Sequence, residues 1–188
     1  MRIISGKAKG TKLYTLEGTN TRPTLDRVKE SIFNIIQGEI QDAKVLDLFS
    51  GCGAIGLECL SRGAKKAVLC DKSKEAIGII KRNVQKTHME DSAEILNVDF
   101  EACLEKIKNQ QFDIIYLDPP YATDYISKAL TKIVENKIIN AESIIIVETD
   151  DERRILKELE NIEVQIVDQR KYGRATIIFL KLGIPRKG

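Results

Sequence analysis

The feature that most constrains this chain is a repeated alternation of short apolar runs with helical patterns. Val45–Phe49, Ala67–Cys70, Ile95–Val98, Asp113–Leu117 and Ser143–Val147 read as strands buried on both faces. Between them lie helix patterns at Leu57–Ser61, Lys74–Thr87, Glu101–Lys108, Tyr125–Glu135 and Asp151–Leu159. Such alternation predicts an α/β fold, a parallel sheet with helices on both faces. Two further strands, Val164–Val167 and Thr176–Lys181, are joined through Asp168–Ala175. That link is too short for a crossover helix, so the last pair is expected to be an antiparallel hairpin. The predicted sheet is therefore doubly wound and seven-stranded, with one reversed strand. Ligands of such sheets bind beyond the carboxyl ends of the strands.

With 188 residues and no Pro/Gly/Ser-rich linker, the chain reads as one domain with an N-terminal extension. Residues 1–20 are expected to form that extension, a β-hairpin pairing Arg2–Ser5 with Lys12–Leu16, and residues 21–188 the main domain. The opening Met1-Arg2-Ile3-Ile4-Ser5 lacks the apolar core of a signal peptide, so a cytoplasmic protein without membrane association is expected. Cys52, Cys59, Cys70 and Cys103 form no C-x-x-C pair, and His88 is the single histidine. Reduced thiols, no metal and no disulfide are expected. Net charge is +2, unevenly spread: +4 over residues 1–30, +6 over 170–188 and −8 between. Two basic ends suit a surface that meets phosphates, although terminal charges are commonly just solvated. Nothing suggests an oligomer, so a monomer is expected.

Asp47-Leu48-Phe49-Ser50-Gly51-Cys52-Gly53-Ala54-Ile55-Gly56 follows the first central strand and opens a helix. Gly51 and Gly53 let the backbone turn tightly against a ligand, and Gly56 lets the helix approach the strand. Asp71 ends the second strand, where its carboxylate can accept from both hydroxyls of a ribose. Asp99, ending the third, suits either the rim of an adenine pocket or a helix N-cap. The glycines also satisfy the dinucleotide pattern G-x-G-x-x-G. Asp47 argues against a dinucleotide, because its charge would face a pyrophosphate. It suits the ammonium of S-adenosylmethionine instead. The expected cofactor set is Asp47, Phe49, Ser50, Gly51, Gly53, Asp71, Lys72 and Asp99, with Cys52 a small filler.

Asp118-Pro119-Pro120-Tyr121 follows the fourth strand. Two prolines remove two backbone donors and stiffen the loop. An amine conjugated to a base ring is a poor nucleophile, since its lone pair is delocalised. The Asp118 carboxylate and the Pro119 carbonyl can each accept one of its N–H bonds, freeing the lone pair toward a methyl donor. Tyr121 offers a face on which a base can stack. A D-P-P-Y string alone could be an ordinary stiff turn. Behind a glycine loop on strand one and an acid on strand two, it points to methylation of an exocyclic amine. No Pro-Cys nucleophile of the cytosine-C5 kind stands here.

On these residues the chain resembles the RsmD family, the guanine-N2 methyltransferases of bacterial small-subunit ribosomal RNA. The likeness runs from Met1–Gly6 to Tyr172-Gly173-Arg174, through Arg22-Pro23-Thr24, Asp26–Glu30, Asp47–Glu58, Asp71 and Asp118–Tyr121. It implies a Rossmann-like methyltransferase fold using S-adenosyl-L-methionine on ribosomal RNA, within a small-subunit particle. It also implies that Arg22–Arg27 help close the cofactor pocket, with Arg22 and Thr24 touching cofactor, and that the N-terminal hairpin touches RNA. The RNA-contact set is Arg2, Lys7, Lys9, Lys12, Arg27 and Arg174, the last of them in a turn that could equally be simply solvated. From the residues alone, Thr24 or Asp26 would cap a helix whose apolar stripe is Val28, Ile32, Ile35 and Ile36. Adenine-N6 or cytosine-N4 methylation uses the same tetrad, and an RNA-binding module without catalysis is the non-enzymatic alternative. A nicotinamide dehydrogenase would leave the tetrad unexplained.

Overall fold

A computed structural model describes residues 1–16 and 23–183. Its sheet has seven strands: β1 (Lys44–Asp47), β2 (Lys66–Cys70), β3 (Ala93–Leu96), β4 (Ile114–Leu117), β5 (Ile144–Thr149), β6 (Val164–Tyr172) and β7 (Ala175–Leu182). Their order is β3-β2-β1-β4-β5-β7-β6, and β7 alone runs antiparallel to the rest. The chain reverses direction between β1 and β4, the switch point at which α/β sheets open a crevice. The doubly wound sheet expected from the sequence is the one observed.

Helices α1 (Pro23–Ile36), α2 (Ala54–Ser61) and α3 (Lys74–Lys86) lie on one face; α4 (Phe100–Lys106), α5 (Tyr125–Glu135) and α6 (Glu152–Leu159) lie on the other. The alternating side chains of each strand divide accordingly. Leu46, Ile115, Leu117, Ile145 and Val147 pack under α4–α6, while Val45, Ile114, Ile144 and Ile146 pack under α1–α3. No described helix is long and apolar enough to cross a membrane.

Several boundaries differ from expectation, each for a local reason. β1 stops at Asp47, because Leu48 and Phe49 already turn into the loop. β3 lies two residues earlier than read, over Ala93–Leu96, leaving Asn97 to hold the strand end through the Asp71 and Lys72 carbonyls. α2 starts at Ala54, straight from Gly53 at φ 83°. β6 runs on to Tyr172, so the turn to β7 is only Gly173-Arg174. It is a solvent-facing edge strand with a bulge between Ile166 and Asp168, and its polar residues hid it from an apolar pattern. α1 begins at Pro23, which puts Thr24 and Asp26 inside the first turn rather than at a cap. Pro suits that position, where an N–H would lack a helical partner. Of its stripe, Val28, Ile32 and Ile36 are buried as read, Ile35 only partly, and Phe33 joins them.

Residues 1–16 wrap onto the α1–α3 face. Arg2 and Lys12 form one antiparallel bridge, while Ile3 and Leu13 turn inward to the core. The wrap is anchored by Glu58, fully buried on α2, which accepts from the Ile4 and Ser5 amides at 2.8 and 3.1 Å. Glu58 also pairs with buried Lys29 and with Arg62, each at 2.9 Å. Burial opposes its ionisation, but the Lys29 ammonium and these donors hold its pKa below the ordinary carboxylate range. At Gly6 a Cβ would stand 1.8 Å from the Ser61 carbonyl oxygen, so only glycine lets the segment seat on the end of α2.

Candidate active site

Beyond the carboxyl ends of β1, β2, β4 and β5 opens a cavity of about 800 Å³, within the range of small-molecule sites. Its floor is the loop Leu48–Gly53. Gly51 and Gly53 take left-handed φ values of 58° and 83°, so each turns without strain. A Cβ at Gly56 would meet Leu69 at 2.1 Å and Asp47 at 3.6 Å, which is why α2 can lie so close to β1 and β2.

Asp47 is 1 % exposed. Its Oδ2 accepts from the Ser50 hydroxyl at 3.0 Å and the Gly56 amide at 3.2 Å, while Oδ1 is buried with no partner among the described residues. Burial drives its pKa up to about 6, with the two hydrogen bonds opposing and the nearby Asp71 charge adding to the rise. A buried carboxylate oxygen without a donor calls for a cationic or N–H-bearing ligand. Asp71 accepts from the Gly51 amide at 3.0 Å through Oδ2 and from the Ser73 amide at 2.9 Å through Oδ1. An ionised carboxylate has about four lone-pair positions, so each oxygen keeps room for a hydroxyl.

Phe49, Phe100 and Tyr125 form an aromatic cluster against the cavity. Phe49 and Tyr125 are nearly parallel at 7° with centroids 6.2 Å apart, and Phe100 sits 5.4 and 4.8 Å from them. The Lys72 ammonium lies 5.8 Å from the Tyr125 ring. Asp99 lines the same cavity and also caps α4, accepting from the Ala102 amide at 2.8 Å; the N-cap and the rim coincide.

Asp118, Pro119, Pro120 and Tyr121 all line the same cavity. Tyr121 is 57 % exposed, presenting its ring to the mouth. Asp118 has a neighbour that the sequence reading did not single out. The β4–β5 register pairs Leu117 with Val147, so one residue further Asp118 lies beside Glu148 on the same face. Glu148 is 8 % exposed, lines the cavity and accepts from the buried Tyr116 hydroxyl. Burial, then the Glu148 charge and then Asp47, hold the Asp118 pKa well above the ordinary carboxylate range. Burial also raises Glu148, against the pull of Tyr116. Burial and these two acids keep the Tyr116 phenol protonated.

The structure therefore gathers Asp47, Phe49, Ser50, Gly51, Asp71, Lys72 and Asp99 with the tetrad around one cavity, whereas Gly53, the N-cap of α2, does not itself line it. Arg22 and the Thr24 side chain lie outside the described residues. Arg2, Lys7, Lys9, Lys12, Arg27 and Arg174 are exposed, and none lines the cavity. Arg174 sits in the β6–β7 turn at the carboxyl end of β5, where Thr149 pairs with Thr176. Missed by the sequence reading were Phe100, Tyr125, Tyr116 and Glu148. For Glu148 a signal existed: an acid ending an otherwise apolar strand. The aromatics carried none: Phe100 and Tyr125 open helices, where packing is usual, and Tyr116 lies within a buried strand. Cys52 is a half-buried free thiol whose pKa burial raises, and it uses its carbonyl to accept from Asn83 at 2.8 Å.

A family model described as Conserved hypothetical protein 95 matches residues 1–181. A Bacillus subtilis protein described as a candidate rRNA methyltransferase, YlbH, is 38% identical over 154 residues, 81% of this chain and 84% of that relative. The Haemophilus influenzae ribosomal RNA small subunit methyltransferase D is 35% identical over 158 residues, 83% of this chain and 82% of that protein. The solved structure of the Escherichia coli protein yhhF, described as a candidate methyltransferase, superposes with a TM-score of 0.83 at 25% identity, covering 97% of this chain and 98% of the other.

Proposed function

This chain belongs to the family described as Conserved hypothetical protein 95, the RsmD family that its sequence resembles, and from that premise we propose that it methylates the exocyclic N2 amine of a guanine in small-subunit ribosomal RNA. S-adenosyl-L-methionine is the methyl donor, and when bound it supplies an electrophilic methyl group on a sulfonium. The observation that carries the reading is one cavity lined both by Asp47, whose buried Oδ1 has no partner among the described residues, and by Asp118–Tyr121.

The residues fit the donor part by part. Asp47 Oδ1 receives the ammonium of its methionine portion, Asp71 the ribose hydroxyls, and Phe49, Phe100 and Tyr125 flank the adenine beside Lys72 and Asp99. Ser50, Gly51 and Gly53 shape the loop around it. Arg22 and Thr24 stand with this group by the family likeness. Asp118 and the Pro119 carbonyl accept the two N–H bonds of the target amine. Asp118 must be ionised for this, and Glu148 beside it, held by Tyr116, sets the pH at which that occurs. The amine, once methylated, gives its surplus proton to the Asp118 carboxylate. Tyr121 stacks on the base.

We read residues 1–20 as an RNA-facing extension and 21–188 as the methyltransferase domain. Its cytoplasmic site of action, monomeric state and independence of metal and membrane belong to the same reading. The test is transfer of radiolabelled methyl from the donor to free ribosomal RNA and to small-subunit particles from cells lacking the enzyme. Label recovered as N2-methylguanosine is expected. Label on adenine N6 or cytosine N4 would overturn the base assignment, and no label with intact donor binding would overturn the activity.

A further inference from the structure

Outside the cavity, one surface holds cations with no counter-charge among the described residues. Arg82 and Lys86 stand one helical turn apart on the exposed side of α3. Both lie over the ring of Tyr14, with the Arg82 guanidinium carbon 3.9 Å and the Lys86 ammonium 4.6 Å from its centroid. Lys86 also donates to the Lys12 carbonyl at 2.6 Å. Among the described residues, no carboxylate lies within ion-pair distance of Lys12, Arg82 or Lys86. Tyr14 keeps 39 % of its surface exposed although it anchors this cluster.

Its mounting is rigid. The fully buried Asn83 accepts from the Tyr14 amide at 2.8 Å and donates to the Tyr14 carbonyl at 2.9 Å. The same side-chain amide donates to the carbonyl of Cys52, whose residue lines the cavity. The aromatic ring is thus tied through one side chain to the cavity floor. Two like charges held on one ring repel each other. A polyanion laid across them removes the repulsion. A guanidinium held flat on a ring also keeps its outward N–H fork ordered for a phosphate, which lowers the entropy lost on binding.

Resting on the function proposed above, we infer that Lys12, Tyr14, Arg82 and Lys86 form a clamp for the RNA sugar–phosphate backbone, holding the substrate beside the cavity while the target base enters it. Exposed cations mounted on an aromatic ring are the pattern of nucleic-acid grooves. Lys12 was already expected at RNA; Tyr14, Arg82 and Lys86 were not.

The test is the salt dependence of affinity for free small-subunit ribosomal RNA and for small-subunit particles, read by filter binding. Arg82→Ala/Lys86→Ala is compared with wild type and with the charge-keeping Arg82→Lys. Losing two phosphate contacts should reduce the slope of log affinity against log salt by about 1.5 and weaken binding on the order of tenfold at 0.1 M salt. Arg82→Lys should keep the slope, and all variants should bind S-adenosylmethionine as wild type does, which also certifies the fold. An unchanged slope in the double variant overturns the clamp. Loss on particles but not on free RNA also overturns it, because the patch would then face a ribosomal protein. Methyl transfer by the wild type judges the proposed function separately, since the slopes are measured without turnover.

Discussion

Asp47 costs the ligand-free protein stability, and the cost can be read directly. Its pKa is pushed from an ordinary 3.8 up to about 6. At about 1.4 kcal/mol per unit, that corresponds to about 3 kcal/mol of penalty once the group is ionised in both states. Below pH 3.8 the carboxyl is protonated folded and unfolded, and no penalty exists. Between 3.8 and about 6 the unfolded chain loses the proton first, so stability falls as pH rises; above that window the loss is complete. Asp47→Asn keeps an oxygen for the Ser50 and Gly56 donors but cannot ionise. Urea denaturation of the ligand-free proteins should therefore show the stability of the variant, relative to wild type, improving by about 2.5 kcal/mol between pH 4 and pH 8. Comparing the two pH values cancels whatever the buried amide costs at Oδ1. Calorimetric titration should show the variant binding S-adenosylmethionine about 2 kcal/mol, or about thirtyfold, more weakly, for loss of one charged hydrogen bond. A stability difference independent of pH would refute the burial argument. Undiminished donor affinity would refute the ammonium assignment.

Asp118→Ala should abolish methyl transfer while donor binding survives; retained turnover would remove Asp118 from the chemistry. Glu148→Gln takes a like charge from beside Asp118, so its pKa falls and the rising limb of the rate–pH profile should move to lower pH, a shift that stopped-flow or steady-state rates across pH 5–9 would reveal and that a purely structural role would not produce. Asp71→Ala should weaken donor binding by about 1–3 kcal/mol; equal affinity in a titration would dismiss the ribose contact. Glu58→Ala strands the buried Lys29 ammonium and frees two amides of the N-terminal segment, and denaturant melts should report a loss of about 3–5 kcal/mol.

The fold was legible because a parallel sheet writes itself as apolar runs. Leu46, Ile115 and Ile145 are fully buried, and their neighbours along each strand are too, so no alternation dilutes the signal. β6 was half missed because an edge strand with Gln165, Asp168, Gln169 and Arg170 facing water looks like a loop. At the site, residues tied to loop geometry were readable: Gly51, Gly53, Asp71 and the Asp118 tetrad sit at strand ends where backbone demands and chemistry coincide. Glu148 and Tyr116 were not, since their role depends on the register between β4 and β5, which no single strand reveals. The Tyr14–Arg82 stack joins residues 68 apart in the chain through a wrap that local pattern does not encode.

The docking of residues 1–16 also carries a consequence in time. This stretch is made before the residues it docks on, since its partners on Glu58 and Asn83 lie 54 and 69 residues later. At about 5–20 residues per second of translation, the segment waits several seconds before its partners exist. Ile3 and Leu13, destined for full burial, spend that interval in water or in the keeping of a chaperone. Residues 1–16 are thus fixed only well after they are made. Their arrival closes the face of α1–α3 and seats Lys12 and Tyr14 against Arg82 and Lys86, after the loop of residues 48–53 has been made.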